Sequence, residues 1–418
     1  MQLGAEDMKL TRKRTRATHP VVMVDAGAWR WACTPKWQAL ISETANIPWD
    51  SLTRHAGAEL LKDNELRSVW RVPIGEPVVV AKVFRPPVGW ARLKEKLFGQ
   101  PGKREFEAAQ FGQAHELSVV RPVAYGSRAG DKTGVRVLLT EEIPDAQSLS
   151  AYWLDKADSS GGRTPAIDNA IVTRAAAFLE SLHRVGFVPA DLHPENILVD
   201  RNDRCVLVDL HNARFGIQVT QVLRILNLAD LNQWFRRHAG RTARLRFLLA
   251  YLTYVMEQPS PRVIRKYARE TEEVTGWKAE KLEKKRDRRI FGDNRYFGVL
   301  TLPGNWRAHV YLQAKHPLRG SHCSQLQFGK SDWAKALEPL LSVKEGSDPT
   351  ELRVGPHIVP IRVERTGGQA NRLHARWQEA HIQINRHRAV PLPLALLKHS
   401  VGHREIEVVL ITERSDTA

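Results

Sequence analysis

The amino-acid sequence predicts an α+β protein with two lobes, an antiparallel β lobe followed by a mainly helical lobe, and a further α+β region near its C-terminal end. Three observations support this prediction. Runs of β-branched residues separated by turn residues dominate residues 59–143, as in an antiparallel sheet. Apolar residues at helical spacing dominate residues 163–185 and 227–254. Beyond residue 290 the order of strand-like and helix-like segments of the β lobe returns.

Length and composition bound the number of domains and the class of partner. A chain of 418 residues exceeds what one core usually serves, and 42% hydrophobic residues argue against disorder. The net charge of +17 favours anionic partners, namely nucleic acid, anionic lipid or phosphorylated glycans. Composition does not choose among these partners, and scattered Lys and Arg also serve general solubility. We expect a basic N-terminal extension, a β lobe, a helical lobe, a basic helical linker and a C-terminal domain, with the ranges 1–50, 51–145, 146–260, 261–290 and 291–418.

A lysine stands in the middle of an apolar strand, at Lys82 within residues 77–84. Because an unpaired buried ammonium is costly, Lys82 either points to solvent from an edge strand or has a carboxylate partner. Residues 103–115 have helical periodicity, and Glu105 and Glu107 lie on different faces of that helix. We predict that Glu105 is the partner, because its apolar neighbours then pack beside it.

An acid, an amide and a second acid follow the helix predicted over 163–185. Asp191 lies in a loop, Asn196 follows five residues later, and a pair of short strands ends at Asp209. Amide and carboxylate oxygens suit Mg²⁺, so Asn196 and Asp209 can hold Mg²⁺ on a nucleotide while Asp191 orients or deprotonates a hydroxyl nucleophile. The pattern Asp-Leu-x-x-x-x-Asn followed by a strand and Asp is typical of the protein-kinase-like fold. The sequence therefore predicts a phosphotransferase that uses ATP and Mg²⁺.

The remaining nucleotide contacts are predicted from the same pattern. Lys82, in Val-Ala-Lys, would hold the phosphates, and the backbone of Glu141 and Ile143 would bind adenine where the last strand of the β lobe ends. No Gly-x-Gly-x-x-Gly occurs in residues 59–72, so side chains or fewer backbone amides must cover the phosphates. His193 either contacts the γ-phosphate or only shapes the loop.

With these segments placed, the chain resembles the lipopolysaccharide core (heptose/Kdo) kinases, an atypical branch of the protein-kinase-like superfamily. The resemblance covers roughly residues 55–255. The motifs that support it lie at residues 104–106, 121–122, 140–142, 191–198, 208–209 and 227–235.

The resemblance implies ATP-dependent transfer to a sugar hydroxyl of lipopolysaccharide core or a related glycan. It assigns Lys82 and Glu105 to phosphate positioning, Asp191 to catalysis, and Asn196 and Asp209 to Mg²⁺. The implied acceptor is a lipid-linked or phosphorylated glycan at the inner face of the cytoplasmic membrane. The positive charge fits such an acceptor, and nucleic acid becomes the less favoured partner.

Three departures from protein kinases argue against a protein substrate. Pro189 replaces the histidine that usually stands two positions before the catalytic carboxylate, His193 replaces a lysine, and Leu210-His211 follows Asp209 instead of Phe-Gly. Two alternatives remain open. One is a small-molecule phosphotransferase of the aminoglycoside-modifying kind. The other is a catalytically inactive pseudokinase scaffold, which the missing glycine-rich loop and Pro189 favour.

The C-terminal region resembles a second, degenerate β lobe. We expect it to end at its hinge, the segment that corresponds to residues 140–143 of the first lobe, without a second catalytic loop like that of Asp191 and Asn196. By sequence, Arg362 aligns with the lysine position and Arg376 with the glutamate position, and two arginines cannot form the Lys–Glu pair. We expect only one active site. A coincidental α+β resemblance is the alternative interpretation.

The expected location is cytoplasmic, with the chain either free or peripheral at the membrane. Three well-separated cysteines suggest a reducing compartment, and no apolar run approaches the length of a membrane span. Residues 85–99 form a basic amphipathic insertion that could lie on an anionic membrane, although a solvated helix is the commoner outcome of such a pattern.

Overall fold

The structure of the chain is a computed structural model that divides into two compact units, Met1–Lys278 and Ala279–Ala418. It describes residues 20–64, 66–74, 78–87, 99–128, 130, 134–158, 169–314, 321–343, 346–367, 370–386, 388, 390–402 and 404–414. The amphipathic segment predicted within 85–99 lies largely outside the described residues.

The first unit combines antiparallel strands with helices. Its strands are β1 (Val22–Ala26), β2 (Trp29–Cys33), β3 (Glu59–Asp63), β4 (Arg67–Val72), β5 (Val79–Phe84), β6 (Pro122–Arg128), β7 (Arg136–Glu141), β8 (Gln147–Ser148), β9 (Ile197–Val199) and β10 (Cys205–Leu207). Its helices are α1 (Gln38–Glu43), α2 (Pro101–Ala114), α3 (Leu149–Asp158), α4 (Asn169–Arg184), α5 (Gln221–His238), α6 (Arg241–Val255) and α7 (Pro261–Asp287), the last of which continues into the second unit. Short 3₁₀ helices lie at Pro35–Trp37, Thr44–Asn46, Leu52–Arg54 and Pro194–Asn196.

The β lobe is a seven-stranded sheet in the order β1-β2-β6-β7-β5-β4-β3, with every neighbouring pair antiparallel. β5 is an inner strand between β4 and β7. Its residues Val79, Ala81 and Val83 are buried in one apolar core, so Lys82 points to the other face of the sheet, which carries α2. The predicted edge-strand alternative for Lys82 is therefore wrong.

The predicted N-terminal extension over 1–50 needs correction, because residues 22–33 form two strands of this sheet. Trp29, Trp31 and Trp49 are buried in the same core as β5. Trp29 and Trp31 stack with ring centroids 5.6 Å apart. Large aromatic rings bury much apolar area, which explains why this segment joins the lobe.

The helical lobe packs around a core that α4 and α6 share. Leu179 and Leu182 of α4 and Tyr251 and Leu252 of α6 are fully buried there. The hairpin of β9 and β10 joins β8 in a three-stranded sheet and places its ends beside the β lobe, since Val119 forms a bridge with Leu207. An antiparallel β lobe followed by a mainly helical lobe confirms the predicted kinase-like fold class.

The second unit contains a six-stranded sheet in the order β11-β12-β15-β16-β14-β13. Its strands are β11 (Phe297–Leu302), β12 (Trp306–Tyr311), β13 (Glu351–Val354), β14 (His357–Gly367), β15 (Pro393–Val401) and β16 (Arg404–Glu413). Its helices are α8 (Lys330–Leu337) and α9 (Ala370–Asn385), with 3₁₀ helices at Cys323–Gln325 and Glu338–Ser342.

The second unit repeats the topology of the β lobe, as the sequence predicts. Replacing β1, β2, β6, β7, β5 and β4 by β11, β12, β15, β16, β14 and β13 gives the same strand order. A helix joins β14 to β15, as α2 joins β5 to β6. Even a local irregularity recurs: the register shifts between Pro122 and Ala124 in β6 and between Pro393 and Ala395 in β15.

The strand register corrects the sequence alignment of the two lobes. Val80 pairs with Thr140 in the first unit and Arg362 pairs with Thr412 in the second, so the residue at the lysine position is Glu364 rather than Arg362. Glu364 forms an ion pair with Arg376 of α9. A slip of two residues along a strand keeps side chains on the same face, so the apolar pattern does not reveal it.

None of the described helices combines the length and hydrophobicity that crossing a membrane requires.

Candidate active site

Lys82 and Glu105 meet on the inner face of the β lobe. Lys82 is 8% exposed and Glu105 is 1% exposed, and the Lys82 ammonium donates a hydrogen bond to Oε1 of Glu105. Phe106 packs beside the pair with Tyr125 and Leu138. The structure thus brings together the two residues that the sequence pairs, and each buried charge has a partner of opposite sign.

Asp209 joins this pair from the end of the β9–β10 hairpin. Its Oδ1 lies 3.4 Å from Nζ of Lys82, and the backbone amide of Leu210 donates to Oε1 of Glu105 at 3.2 Å. Asp209 has a φ of 57°, a left-handed backbone conformation that turns its carboxylate toward the β lobe. Lys82, Glu105 and Asp209 therefore form one continuous ionic cluster between the lobes.

Two residues of this cluster are missing from the sequence prediction. Nη2 of Arg67, at the start of β4, lies 2.6 Å from Oδ2 of Asp209. Nδ1 of His211 lies 3.0 Å from Oδ1 of the same residue. Arg67 follows the β3–β4 turn, where protein kinases carry a glycine-rich loop. Because residues 59–72 contain no such loop, the sequence already indicated that a side chain could take its place.

The charges around Asp209 keep it ionised. Burial would raise the pKa of Asp209, but the hydrogen bond from His211 and the charges of Lys82 and Arg67 hold it well below its ordinary value. The same hydrogen bond raises the pKa of His211 despite its partial burial. The carboxylate is thus available as a metal ligand across the physiological pH range.

Asn196 links the loop of Asp191 to the β9–β10 hairpin. Its Nδ2 donates to the backbone oxygen of Asp191 at 3.0 Å, and its backbone oxygen accepts from Val208 at 2.9 Å, one residue before Asp209. The side chain of Asp191 is exposed to solvent. Nδ1 of His193 accepts from the backbone amide of Glu195 at 3.4 Å, so this ring contacts its own loop.

A buried hydrogen-bond chain supports the loop in which Pro189 replaces histidine. Nδ2 of Asn227 donates to the backbone oxygen of Pro189 at 3.0 Å, and Oδ1 of Asn227 lies 3.1 Å from Nε2 of His183. Nδ1 of His183 lies 2.8 Å from the hydroxyl of Tyr251, which also accepts from Arg224. Burial lowers the pKa of His183 to about 4, so the ring is neutral and can donate at one nitrogen and accept at the other.

A second ion pair adjoins Asp191. Nζ of Lys278 lies 2.6 Å from Oδ1 of Asp230 and donates to the backbone oxygen of Leu226 at 3.0 Å. Burial raises the pKa of Asp230, the lysine opposes that shift, and the nearby charge of Asp191 adds to it. Asp230 and Lys278 therefore belong to the surroundings of Asp191, the carboxylate that the sequence assigns to catalysis.

The predicted hinge follows β7. The side chain of Glu141 faces the cations of Lys36 at 3.2 Å and Arg121 at 3.7 Å. Its backbone amide donates to the backbone oxygen of Arg121 at 3.0 Å. Within the described residues nothing hydrogen-bonds the backbone amide of Ile143, which is half-buried. This amide and the carbonyl of Glu141 are suited to the edge of a base.

The donor set fits Mg²⁺ held jointly with a nucleotide. Asp209 supplies an ionised carboxylate and Asn196 an amide oxygen on the adjoining loop, and oxygen ligands suit this ion. In the described part of the chain no cluster of three or more His, Cys, Asp or Glu side chains could hold a metal without further ligands. Phosphate oxygens would complete the coordination, as is usual for Mg²⁺ in phosphotransferases.

Comparison with known proteins confirms the resemblance inferred from the motifs. Residues 91–251 match the model of the lipopolysaccharide kinase (Kdo/WaaP) family. This region contains Glu105, Asp191, Asn196 and Asp209 and begins after Lys82. A solved structure, WaaP in complex with acyl carrier protein, is 20% identical over 63% of this chain and 98% of that chain, with a TM-score of 0.44. A search of curated proteins gave no match.

Proposed function

We propose that this protein is an ATP- and Mg²⁺-dependent kinase that phosphorylates a sugar hydroxyl of lipopolysaccharide core or a related glycan. The observation that carries this proposal is the ionic cluster of Lys82, Glu105 and Asp209, joined through Asn196 to Asp191. In a phosphotransferase, such a cluster supplies one carboxylate for metal binding and one lysine for phosphate binding, next to the loop that carries the base. The family match over residues 91–251 supports a sugar as the acceptor.

Each residue has a separate part in the transfer. Lys82, oriented by Glu105, would hold the phosphates of ATP, and the backbone at Glu141 and Ile143 would bind adenine. Asn196 and Asp209 would hold Mg²⁺, which when bound neutralises charge on the phosphates. Asp191, exposed at the loop, would accept the proton of the sugar hydroxyl. At the same time the hydroxyl oxygen would bond to the γ-phosphorus, and the bond between that phosphorus and the oxygen that leaves with ADP would break. His193 would shape the loop, since its ring bonds to the backbone of Glu195.

The charge of the chain supports an anionic acceptor. A net charge of +17 raises the local concentration of phosphorylated glycans and of anionic membrane surfaces, at which a lipid-linked acceptor would be presented. We propose that the enzyme acts in the cytoplasm, with peripheral contact to the inner face of the membrane.

Transfer of labelled phosphate from ATP to extracted lipopolysaccharide tests this function. The wild type is expected to label the lipid fraction only with Mg²⁺ present, and Asp209→Asn and Asp191→Asn are expected to lose transfer. Label that appears on a soluble sugar or an aminoglycoside but never on the lipid fraction would overturn the glycan acceptor. No thermal stabilisation by ATP and Mg²⁺, in the wild type or in Asp209→Ala, would overturn the enzyme itself and favour a scaffold.

A further inference from the structure

The second unit has a cavity at the position that the nucleotide would occupy in the first. The cavity has a volume of about 590 Å³ and lies between α9, strands β14 and β16, and the loop before β15. Thr412 lines it and stands at the position of Thr140, with Leu410 at the position of Leu138. The repeated register therefore identifies the cavity as the counterpart of the proposed nucleotide site.

The charges of this cavity are rearranged relative to the first lobe. Glu364 replaces Lys82, and it pairs with Arg376, which α9 contributes where α2 contributes Glu105. A carboxylate at the lysine position repels phosphates instead of holding them. The ion pair is thus kept with its polarity reversed, and this end of the cavity does not suit a polyphosphate.

Arginines stand at the other end, where the first lobe has its hinge. Arg362 takes the position of Val80, and its side chain is 75% exposed. Arg414 takes the position of Glu142, because its backbone amide donates to Pro360 as that of Glu142 donates to Val78. An arginine in place of Val80 removes the apolar contact that a purine base would need.

The carboxylates that line the cavity have other partners. Asp348 bonds to Arg365 at 2.8 Å, and buried Glu413 accepts from Ser321 at 2.5 Å and from the backbone amide of Cys323 at 2.9 Å. Arg414 has no ion pair among the described residues, and Arg362 has only Glu364, 3.8 Å away. The hinge end of the cavity thus presents two guanidinium groups with little neutralising charge.

We propose that this cavity binds a sugar phosphate, with its phosphate between Arg362 and Arg414. Guanidinium groups bind phosphate through paired N–H donors. The volume suits a ligand of one or two sugar rings, which the proline-rich wall at Pro391 and Pro393 would contact. The second unit would then hold a phosphorylated part of the glycan acceptor. The choice of a glycan rests on the proposed function, whereas the anion site rests on the arginines alone.

Calorimetric titration of the full chain with glucose 6-phosphate, without ATP or Mg²⁺, tests this site. The wild type is expected to bind glucose 6-phosphate and not glucose, and Arg362→Ala/Arg414→Ala is expected to weaken binding at least tenfold. Arg353→Ala is the matched control, because Arg353 is an exposed arginine of β13 that does not line the cavity, and it should bind like the wild type. Asp191→Asn should also bind normally, since the site is independent of catalysis.

Each opposite result overturns the proposal. The first is that the wild type does not bind glucose 6-phosphate, and the second is that the double variant binds it as well as the wild type does. The third is that the wild type binds inorganic phosphate as tightly as glucose 6-phosphate, and the fourth is that it binds ATP more tightly in a way that the double variant loses. Phosphate transfer to lipopolysaccharide is measured separately on the same preparations. Transfer without sugar phosphate binding would overturn only the second site, and binding without transfer would overturn only the proposed kinase activity.

Discussion

The guanidinium of Arg67 lies 2.6 Å from the carboxylate of Asp209, although 142 residues separate them in the sequence. Arg67 begins β4, directly after the turn at which protein kinases carry a glycine-rich loop. Because Asp209 is also the proposed metal ligand, the phosphates of a bound nucleotide would come close to the same guanidinium. We therefore predict that Arg67 binds phosphates with a side chain where protein kinases use backbone amides.

Replacing Arg67 is expected to weaken ATP binding more than it slows transfer. Arg67→Ala should raise the KM for ATP by roughly tenfold, about 1.4 kcal/mol, with a smaller change in kcat, because a charge-assisted hydrogen bond to phosphate is lost. Steady-state kinetics at varied ATP measures this. Arg30→Ala removes a surface Arg–Asp pair of the same sheet and should leave both constants unchanged. An unchanged KM in Arg67→Ala would contradict the phosphate contact.

Breaking the ion pair beside Asp191 is expected to destabilise the first unit. Lys278→Met leaves the mostly buried carboxylate of Asp230 without its cation and should lower the free energy of unfolding by about 2 kcal/mol. Asp230→Asn/Lys278→Met should recover part of this loss, because the unpaired charge is removed as well. Urea unfolding of these two variants and of Asp230→Asn alone gives the coupling between the two residues. Strictly additive effects would show that the pair is not coupled.

Gly186 is expected to tolerate no side chain at its position between α4 and the loop of Asp191. It has a φ of 81°, and an added Cβ would lie 2.3 Å from the backbone oxygen of Ile217. Gly186→Ala should therefore cost at least about 2 kcal/mol and reduce activity, since the backbone must shift. Gly130 also has a positive φ, at 68°, but has nothing within 4 Å of an added Cβ. Equal losses in Gly130→Ala and Gly186→Ala, measured by thermal unfolding, would rule out the steric cause.

His183 is expected to make the protein less stable in mild acid. Burial lowers its pKa to about 4 from an ordinary value of 6.5, so between these values the unfolded chain binds a proton that the folded chain does not. Stability should therefore fall as the pH drops through this window, by up to about 2 kcal/mol from this residue between pH 7 and pH 5.

His183→Gln checks this assignment, since glutamine can keep both hydrogen bonds but does not titrate. Chemical unfolding at pH 7 and pH 5 should show a smaller pH-dependent loss for His183→Gln than for the wild type. His322→Gln replaces an exposed histidine and should keep the wild-type dependence. The same loss in all three proteins would place the acid sensitivity elsewhere, for example at His381, whose pKa burial lowers to about 3.

The sequence predicts the parts of the site that depend on short-range patterns. The alternation of β5 buries Val79, Ala81 and Val83 on one face and leaves Lys82 on the other. The spacing from Asp191 to Asn196 predicts an amide in the same loop as the acid. In the structure Nδ2 of Asn196 donates to the backbone oxygen of Asp191 at 3.0 Å. The roles of these residues in binding and transfer stay predictions that the kinetic experiments address.

Other features depend on segments that are distant in the chain. Asn227 supports the loop at Pro189, and Lys278 pairs with Asp230, although nothing in the local sequence connects either pair. The N-terminal strands join the sheet because their tryptophans complete its core, while their basic neighbours suggest an extension.

By itself the sequence determined the α+β fold class, the repeat of the β lobe and the acid–amide–acid spacing, because periodicity and loop chemistry are local properties of the chain. Only the tertiary structure decided that Arg67 reaches Asp209 and that Glu364, not Arg362, stands at the second lysine position. Each case has its own physical reason. The ion pair of Arg67 and Asp209 depends on how the two lobes pack. The second lysine position depends on the hydrogen-bond register, because the two-residue period of a strand does not distinguish positions that are two residues apart.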